Sequence, residues 1–107
     1  MSDRSKDLRA LFNERIVCLD GAMGTMIQRR KLTAADFGGP ALEGCNENLV
    51  LTRPEVISSI HDAYLAAGAD LIETNTFGAT SIVLAEYDLA AKAVEINRRA
   101  AELTRGS

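Results

Sequence analysis

The sequence predicts an α/β protein that forms the N-terminal part of a (β/α)8 TIM barrel, with about two parallel strands and their crossover helices. Three observations predict it. Two short apolar runs, Ile16-Val17-Cys18-Leu19 and Ala69-Asp70-Leu71-Ile72-Glu73-Thr74, each stop at polar or glycine residues. Segments of helical periodicity lie before, between and after them, and helices separating short buried strands imply parallel pairing with right-handed crossovers. The chain has 107 residues, whereas a complete barrel takes about 250. Residues 1–107 are therefore expected to be one portion of a barrel domain, with the rest of the barrel and all later domains absent.

In chain order, residues 4–14 read as a short amphipathic helix with Leu8, Leu11 and Phe12 on one side. The run at 16–19 has the pattern of a strand buried on both faces, which makes Cys18 a small core residue. Residues 21–53 form a long connection with glycines at 21, 24, 38, 39 and 44 and helical turns near 24–30 and 33–37. Connections of that length are usually functional or disordered. Thr52-Arg53-Pro54-Glu55 predicts a helix start, with capping-box spacing from Thr52 to Glu55 and a proline suited to a first turn. Val56, Ile57, Ile60, Tyr64 and Leu65 continue at helical spacing until Gly68. After the second strand, helices are expected over 81–88 and 91–105, the last buried through Ala93, Val94, Ile96, Ala100, Ala101 and Leu103.

Hydrophobic residues at 47% and charged residues at 25% suit a soluble globular protein. A net charge of -3 and a pI near 5.1 give no electrostatic reason to expect nucleic acid or an anionic membrane. No segment reaches the roughly 18 apolar residues of a membrane span, and the polar N-terminus leads into no signal core. The expected location is cytoplasmic, with Cys18 and Cys45 as reduced thiols. Cys18, Cys45 and His61 show no C-x-x-C or H-x-x-x-H spacing, so no metal site is expected within this chain. His61, in mid-helix, reads as a packed or surface histidine.

Polar groups gather where the expected strands end. Asp20 follows the first, and Glu73, Thr74, Asn75 and Thr76 finish the second. In α/β barrels those ends build the active site, and the long connection leaves from the same face. Asp20-Gly21-Ala22-Met23-Gly24-Thr25 is either a turn that needs glycine or a backbone cradle for a carboxylate or phosphate. No G-x-G-x-x-G or complete P-loop supports a nucleotide. Asp20 and Glu73 read as a general acid/base pair, as carboxylates bonded to backbone N–H groups, or as a binder of a substrate ammonium group.

Three stretches together carry a family resemblance: Asp20 to Gln28, Gly44 to Glu55, and His61 to Tyr64 with Ala67 to Thr80. They resemble the cobalamin-dependent methionine synthases within the homocysteine S-methyltransferase family, over about residues 8–105. The Asp-Gly and Thr-Asn-Thr-Phe elements belong to the wider family, and Met23-Gly24-Thr25-Met26-Ile27-Gln28 favours the cobalamin-dependent branch. The resemblance implies methyl transfer from 5-methyltetrahydrofolate by way of cobalamin to zinc-bound homocysteine, giving methionine. It implies that Asp20 binds the substrate amino group, that backbone groups of Gly21, Ala22 and Met23 lie near its carboxylate, and that Glu73, Asn75 and Thr76 line the same pocket. Zinc and cobalamin would belong to the whole enzyme, since neither cysteine matches a zinc-ligand position. The chain alone is expected to hold no cofactor, no catalytic residue and no activity, and to self-associate through open strand edges. Two alternatives remain at this level: part of a cobalamin-independent homocysteine methyltransferase, and a free-standing, non-catalytic self-associating module.

Overall fold

The computed structural model describes residues 4–107. Its elements are helices: α1 (Ser5–Glu14), α2 (Met23–Arg29), α3 (Ala34–Phe37), α4 (Leu49–Thr52), α5 (Pro54–Ala66), α6 (Ser81–Leu84) and α7 (Ala93–Gly106), joined in places by 3-10 turns. Helices α4, α5 and α7 pack on one another in all three pairings. Leu49, Val50, Ile57, Ile60, Leu84, Ile96 and Ala100 are completely buried among them. In α7 the buried residues Ile96, Ala100 and Leu103 follow the spacing of one helical face. Val94 and Ala101, expected on that face, are exposed, because each is rotated well away from the 96–100–103 stripe.

The expected barrel architecture is not what forms. Among the described residues there is no sheet, and the two apolar runs meet in a single parallel bridge between Leu19 and Leu71. Three backbone bonds make the contact: Asp20 N–H to the Leu71 carbonyl (2.9 Å), and the N–H groups of Asp70 and Leu71 to the Cys18 carbonyl (2.8 and 3.2 Å). A strand apolar on both faces needs layers above and below it. Here Ile16 is 87% exposed and Leu19 53% exposed, and Cys18 is an exposed thiol rather than a core residue. The helices bury one another instead, and the run at 16–19 stays outside their core. The open strand edges on which self-association was expected are therefore not present as strands. Helix α1 forms where expected, yet it buries none of its residues.

The local signals fared differently. Pro54 does open α5, but Thr52 closes α4 instead of capping α5, and Arg53 at the N-cap makes no side-chain capping bond. Arg53 has the extended φ of -137° before Pro54, as the steric demand of a following proline requires. The capping box lies earlier: the Thr33 N–H donates to Asp36 Oδ2 at 2.7 Å while the Thr33 side chain accepts from the Asp36 backbone. That backbone bond and the Arg53 guanidinium hold the Asp36 carboxyl below the usual carboxylate range. Gly68, at φ +110°, ends α5 in a Schellman arrangement, with its N–H on the Leu65 carbonyl and the Ala69 N–H on Tyr64.

One ion pair holds the bridge in register. Both terminal nitrogens of Arg15 donate to the Asp70 carboxylate, one at 2.8 Å, and the Cys18 N–H donates to Asp70 Oδ2 at 2.9 Å. The Asp70 side chain is only 11% exposed. The Arg15 bond first, and then the Cys18 N–H, pull its pKa below the ordinary value. A carboxyl depressed on folding stabilises the fold above its unfolded pKa, about 3.9 for Asp, and loses that contribution as pH falls through the folded pKa. Asp70→Asn is expected to lower Tm at pH 7, with the gap from wild type closing as the pH falls below about 3.9; an equal gap at pH 7 and pH 2.5 would show that the charge is not responsible. Ile60→Ala, in the completely buried core, is expected to cost about 2–5 kcal/mol in urea unfolding.

Candidate functional site

The bridge brings together two polar segments far apart in sequence. Asp20 leaves one side of it and Glu73 the other, and the Glu73 N–H donates to Asp20 Oδ2 at 3.1 Å. Together they border a cavity of about 710 Å³. Asp20, Gly21, Ala22, Met23, Glu73, Asn75 and Thr76 all lie on its wall, so every residue singled out from the sequence meets there. The cavity also takes in Gly24, Thr25, Asn46, Glu47, Thr74 and Phe77.

Each wall is fixed by hydrogen bonds that reach outside it. The turn after Asp20 is held by α5, because the Tyr64 hydroxyl donates to the Ala22 carbonyl at 3.0 Å. A Cβ on Gly21 would stand 3.0 Å from that hydroxyl, so here glycine is needed for close approach as well as for turning. The N–H groups of Gly21 and Ala22 have no backbone acceptor among the described residues, and Met23 opens α2, where the first N–H has no acceptor within the helix. The opposite wall is tied to the connection after α3. The buried Asn75 amide donates to the Asn46 carbonyl at 2.8 Å, and the Gly78 N–H donates to Glu47 Oε2 at 3.1 Å. The Thr74 and Thr76 hydroxyls share a hydrogen bond of 2.6 Å.

This geometry narrows the roles left open for the carboxylates. Asp20 is bonded to a backbone N–H through one oxygen, while Oδ1 has no hydrogen bond among the described residues. It is both a structural acceptor and a carboxylate facing a cavity. Asn75 is committed to the backbone and holds the wall. Asn46, Glu47 and Phe77 join the wall although the sequence pattern marks none of them as a site residue. The Asn46-Glu47 dipeptide stood in a family-like stretch, yet nothing in its local pattern marks which wall it would join.

The described residues do not fit a metal. No group of three or more His, Cys, Asp or Glu side chains among them is placed to hold an ion. Cys45 is buried, and burial pushes its thiol pKa up, away from the thiolate that a metal needs. His61 is fully buried, and neither ring nitrogen has a hydrogen-bond partner among the described residues. Burial pushes its pKa down against the opposing pull of Asp20 and Asp62, which leaves the ring neutral at pH 7.

Glu47→Ala removes the acceptor of the Gly78 N–H. A hydrogen bond to a charged group is worth about 1.5–3 kcal/mol, so exchange of the Gly78 amide is expected to quicken by roughly tenfold or more. Unchanged exchange would show that the turn is held without Glu47.

Comparison with known proteins gives two findings. The homocysteine S-methyltransferase family profile matches residues 17–107. A methionine synthase from Mycobacterium leprae (strain TN) is 48% identical over 99 residues, which cover 92% of this chain and 8% of that protein. The chain thus spans a small part of the length of the relative it matches. With the profile covering most of its residues, including every wall of the cavity, the chain belongs to the homocysteine S-methyltransferase family.

Proposed function

We propose that this chain carries the part of a methionine synthase that recognises the amino-acid end of homocysteine. The observation behind this reading is the unbonded Oδ1 of Asp20 beside the Gly21-Ala22-Met23 turn at the cavity wall. An α-amino acid presents an ammonium group next to a carboxylate. Asp20 supplies the acceptor for the first, and the N–H groups of the turn, which have no backbone acceptor among the described residues, supply donors for the second. Glu73 and Thr76 stand on the facing wall and add oxygen acceptors, while Asn75 keeps that wall in place.

In this reading the whole enzyme transfers a methyl group from 5-methyltetrahydrofolate by way of cobalamin to zinc-bound homocysteine, in the cytoplasm. Zinc would supply thiol activation. The described residues form no ligand set for it, so no step is assigned to a metal here. What this chain contributes is orientation: fixing the ammonium and carboxylate sets the direction in which the thiol projects. Among the described residues no helix is long and apolar enough to cross a membrane, which is compatible with the proposed location.

The test is ligand-observed NMR with L-homocysteine. Asp20→Asn keeps the shape and the acceptor for the Glu73 N–H but removes the charge. Loss of a charged hydrogen bond, about 1.5–3 kcal/mol, predicts binding weaker by roughly 10- to 150-fold. Equal affinity in the two proteins would refute the role given to Asp20.

A further inference from the structure

His61 lies in the middle of α5, 0% exposed, and neither ring nitrogen has a hydrogen-bond partner among the described residues. A neutral imidazole always holds one N–H donor and one bare acceptor nitrogen. Burying both without partners costs free energy that an apolar side chain of the same size would not. Packing alone therefore does not account for a histidine at this place.

Helix α5 runs behind the cavity wall. Its Tyr64 donates to the Ala22 carbonyl and stands against Gly21. One turn back along that face is His61, and the residue before Gly21 is Asp20. Two carboxylates act on the ring through their charge, Asp20 the more strongly and Asp62 the less. Asp62 belongs to α5 itself and is exposed. The helices packed on α5 bury Ile27 of α2, Leu49 and Val50 of α4, and Ile96, Ala100 and Leu103 of α7, none of which carries charge. Two uncommitted groups thus lie within electrostatic reach of each other: the buried ring and Asp20 Oδ1, which has no hydrogen bond among the described residues. At pH 7 the ring is neutral and the Asp20 charge is left to the cavity. In mild acid the ring gains a second N–H and a positive charge. Away from water, opposite charges attract far more strongly than in it.

We propose that His61 is a positioning residue for Asp20, which on protonation draws that carboxylate toward α5 and away from the ammonium group of a ligand. The site then holds amino acids at neutral pH and releases them in mild acid. This rests on the ammonium-binding role given to Asp20 above. The proton comes from solvent and adds to the ring, and no bond of the ligand changes. Burial disfavours the imidazolium and outweighs the pull of Asp20 and Asp62, so the change lies below the ordinary histidine value of about 6.5. Uptake of one proton weakens binding by at most about tenfold per pH unit.

The chain has one histidine, so its ring signals in NMR report His61 alone. Without ligand, Asp20→Asn is expected to move the ring titration to still lower pH, because the carboxylate that favours the imidazolium is gone. An unmoved titration overturns the proposal. L-homocysteine binding, read by ligand-observed NMR, is expected to weaken about 3- to 30-fold from about pH 7 to about pH 5.5. Saturating homocysteine is expected to lower the ring titration in return, since the two couplings are reciprocal. 4-Mercaptobutyrate, which lacks the ammonium group, is expected to bind alike at both pH values. An equal acid loss for both ligands marks a general loosening of the fold and overturns the proposal. His61→Leu is expected to abolish the pH dependence, and its persistence there overturns the proposal. The ring titrations use the native histidine, so they decide the matter even where His61→Leu does not fold. If Asp20→Asn weakens homocysteine binding while wild-type affinity stays level with pH, the ammonium reading stands and the role of His61 fails. If Asp20→Asn binds homocysteine as tightly as wild type at pH 7, the ammonium reading fails and the proposal with it.

Discussion

The arrangement of the cavity depends on Asp70. Its carboxylate takes two donors from Arg15 and one from the Cys18 N–H, and its own N–H donates to the Cys18 carbonyl. One residue thereby fastens the segment before Asp20 to the segment before Glu73. The parallel contact has only three backbone bonds, too few to hold register by cooperativity, so a side-chain anchor at its start has a disproportionate effect. Arg15 is half exposed, so the strength of the pair comes from its two-pronged geometry and the added Cys18 N–H more than from burial. Every wall residue from Asp20 to Met23 and from Glu73 to Phe77 lies downstream of that anchor on one of the two segments.

The second requirement is that polar wall segments be held without a sheet to carry them. Buried amides do this work. Asn48 donates to the Phe37 carbonyl at 2.8 Å and Asn75 to the Asn46 carbonyl at the same distance. Phe37 closes α3 and Asn46 opens a 3-10 turn, so each amide fastens a carbonyl at the end of a short helical element. Glu47 repeats the device from the acceptor side. A cavity wall held by the Asn75 amide and the Asp20 and Glu47 carboxylates is sensitive to single substitutions in a way that a laddered wall is not.

The cavity shows a division of labour. Its charged and hydroxylic groups cluster on both walls, while its aromatic surface stands on a single pinned turn. Buried groups close by are kept chemically quiet. His61 is neutral and Cys45 a protonated thiol, both through burial. The groups left open on the cavity wall are hydrogen-bond acceptors and donors, with Asp20, Glu47 and Glu73 its carboxylates.

The sequence by itself determined the local events. Proline at 54 opens a helix because its fixed φ and missing N–H suit that position, and Gly68 ends it because a left-handed residue is needed there. The hydrophobic spacing of Ile57, Ile60, Ile96 and Ala100 named the buried helical faces, and the polar residues after each apolar run named the site as far as Thr76. The capping box at Thr33 and Asp36 is equally local, while the same spacing at Thr52 and Glu55 forms none, because Pro54 and the Arg53 bend decide the outcome there. Tertiary structure decided the rest. An apolar run becomes an inner strand only if other elements cover both its faces, and Ile16-Val17-Cys18-Leu19 is not so covered, which turned an expected sheet into one bridge. Likewise, the place of Glu47 and Phe77 on the cavity wall follows from hydrogen bonds between residues about thirty positions apart. No local pattern encodes such pairs, because each is set only when the two segments are brought into contact.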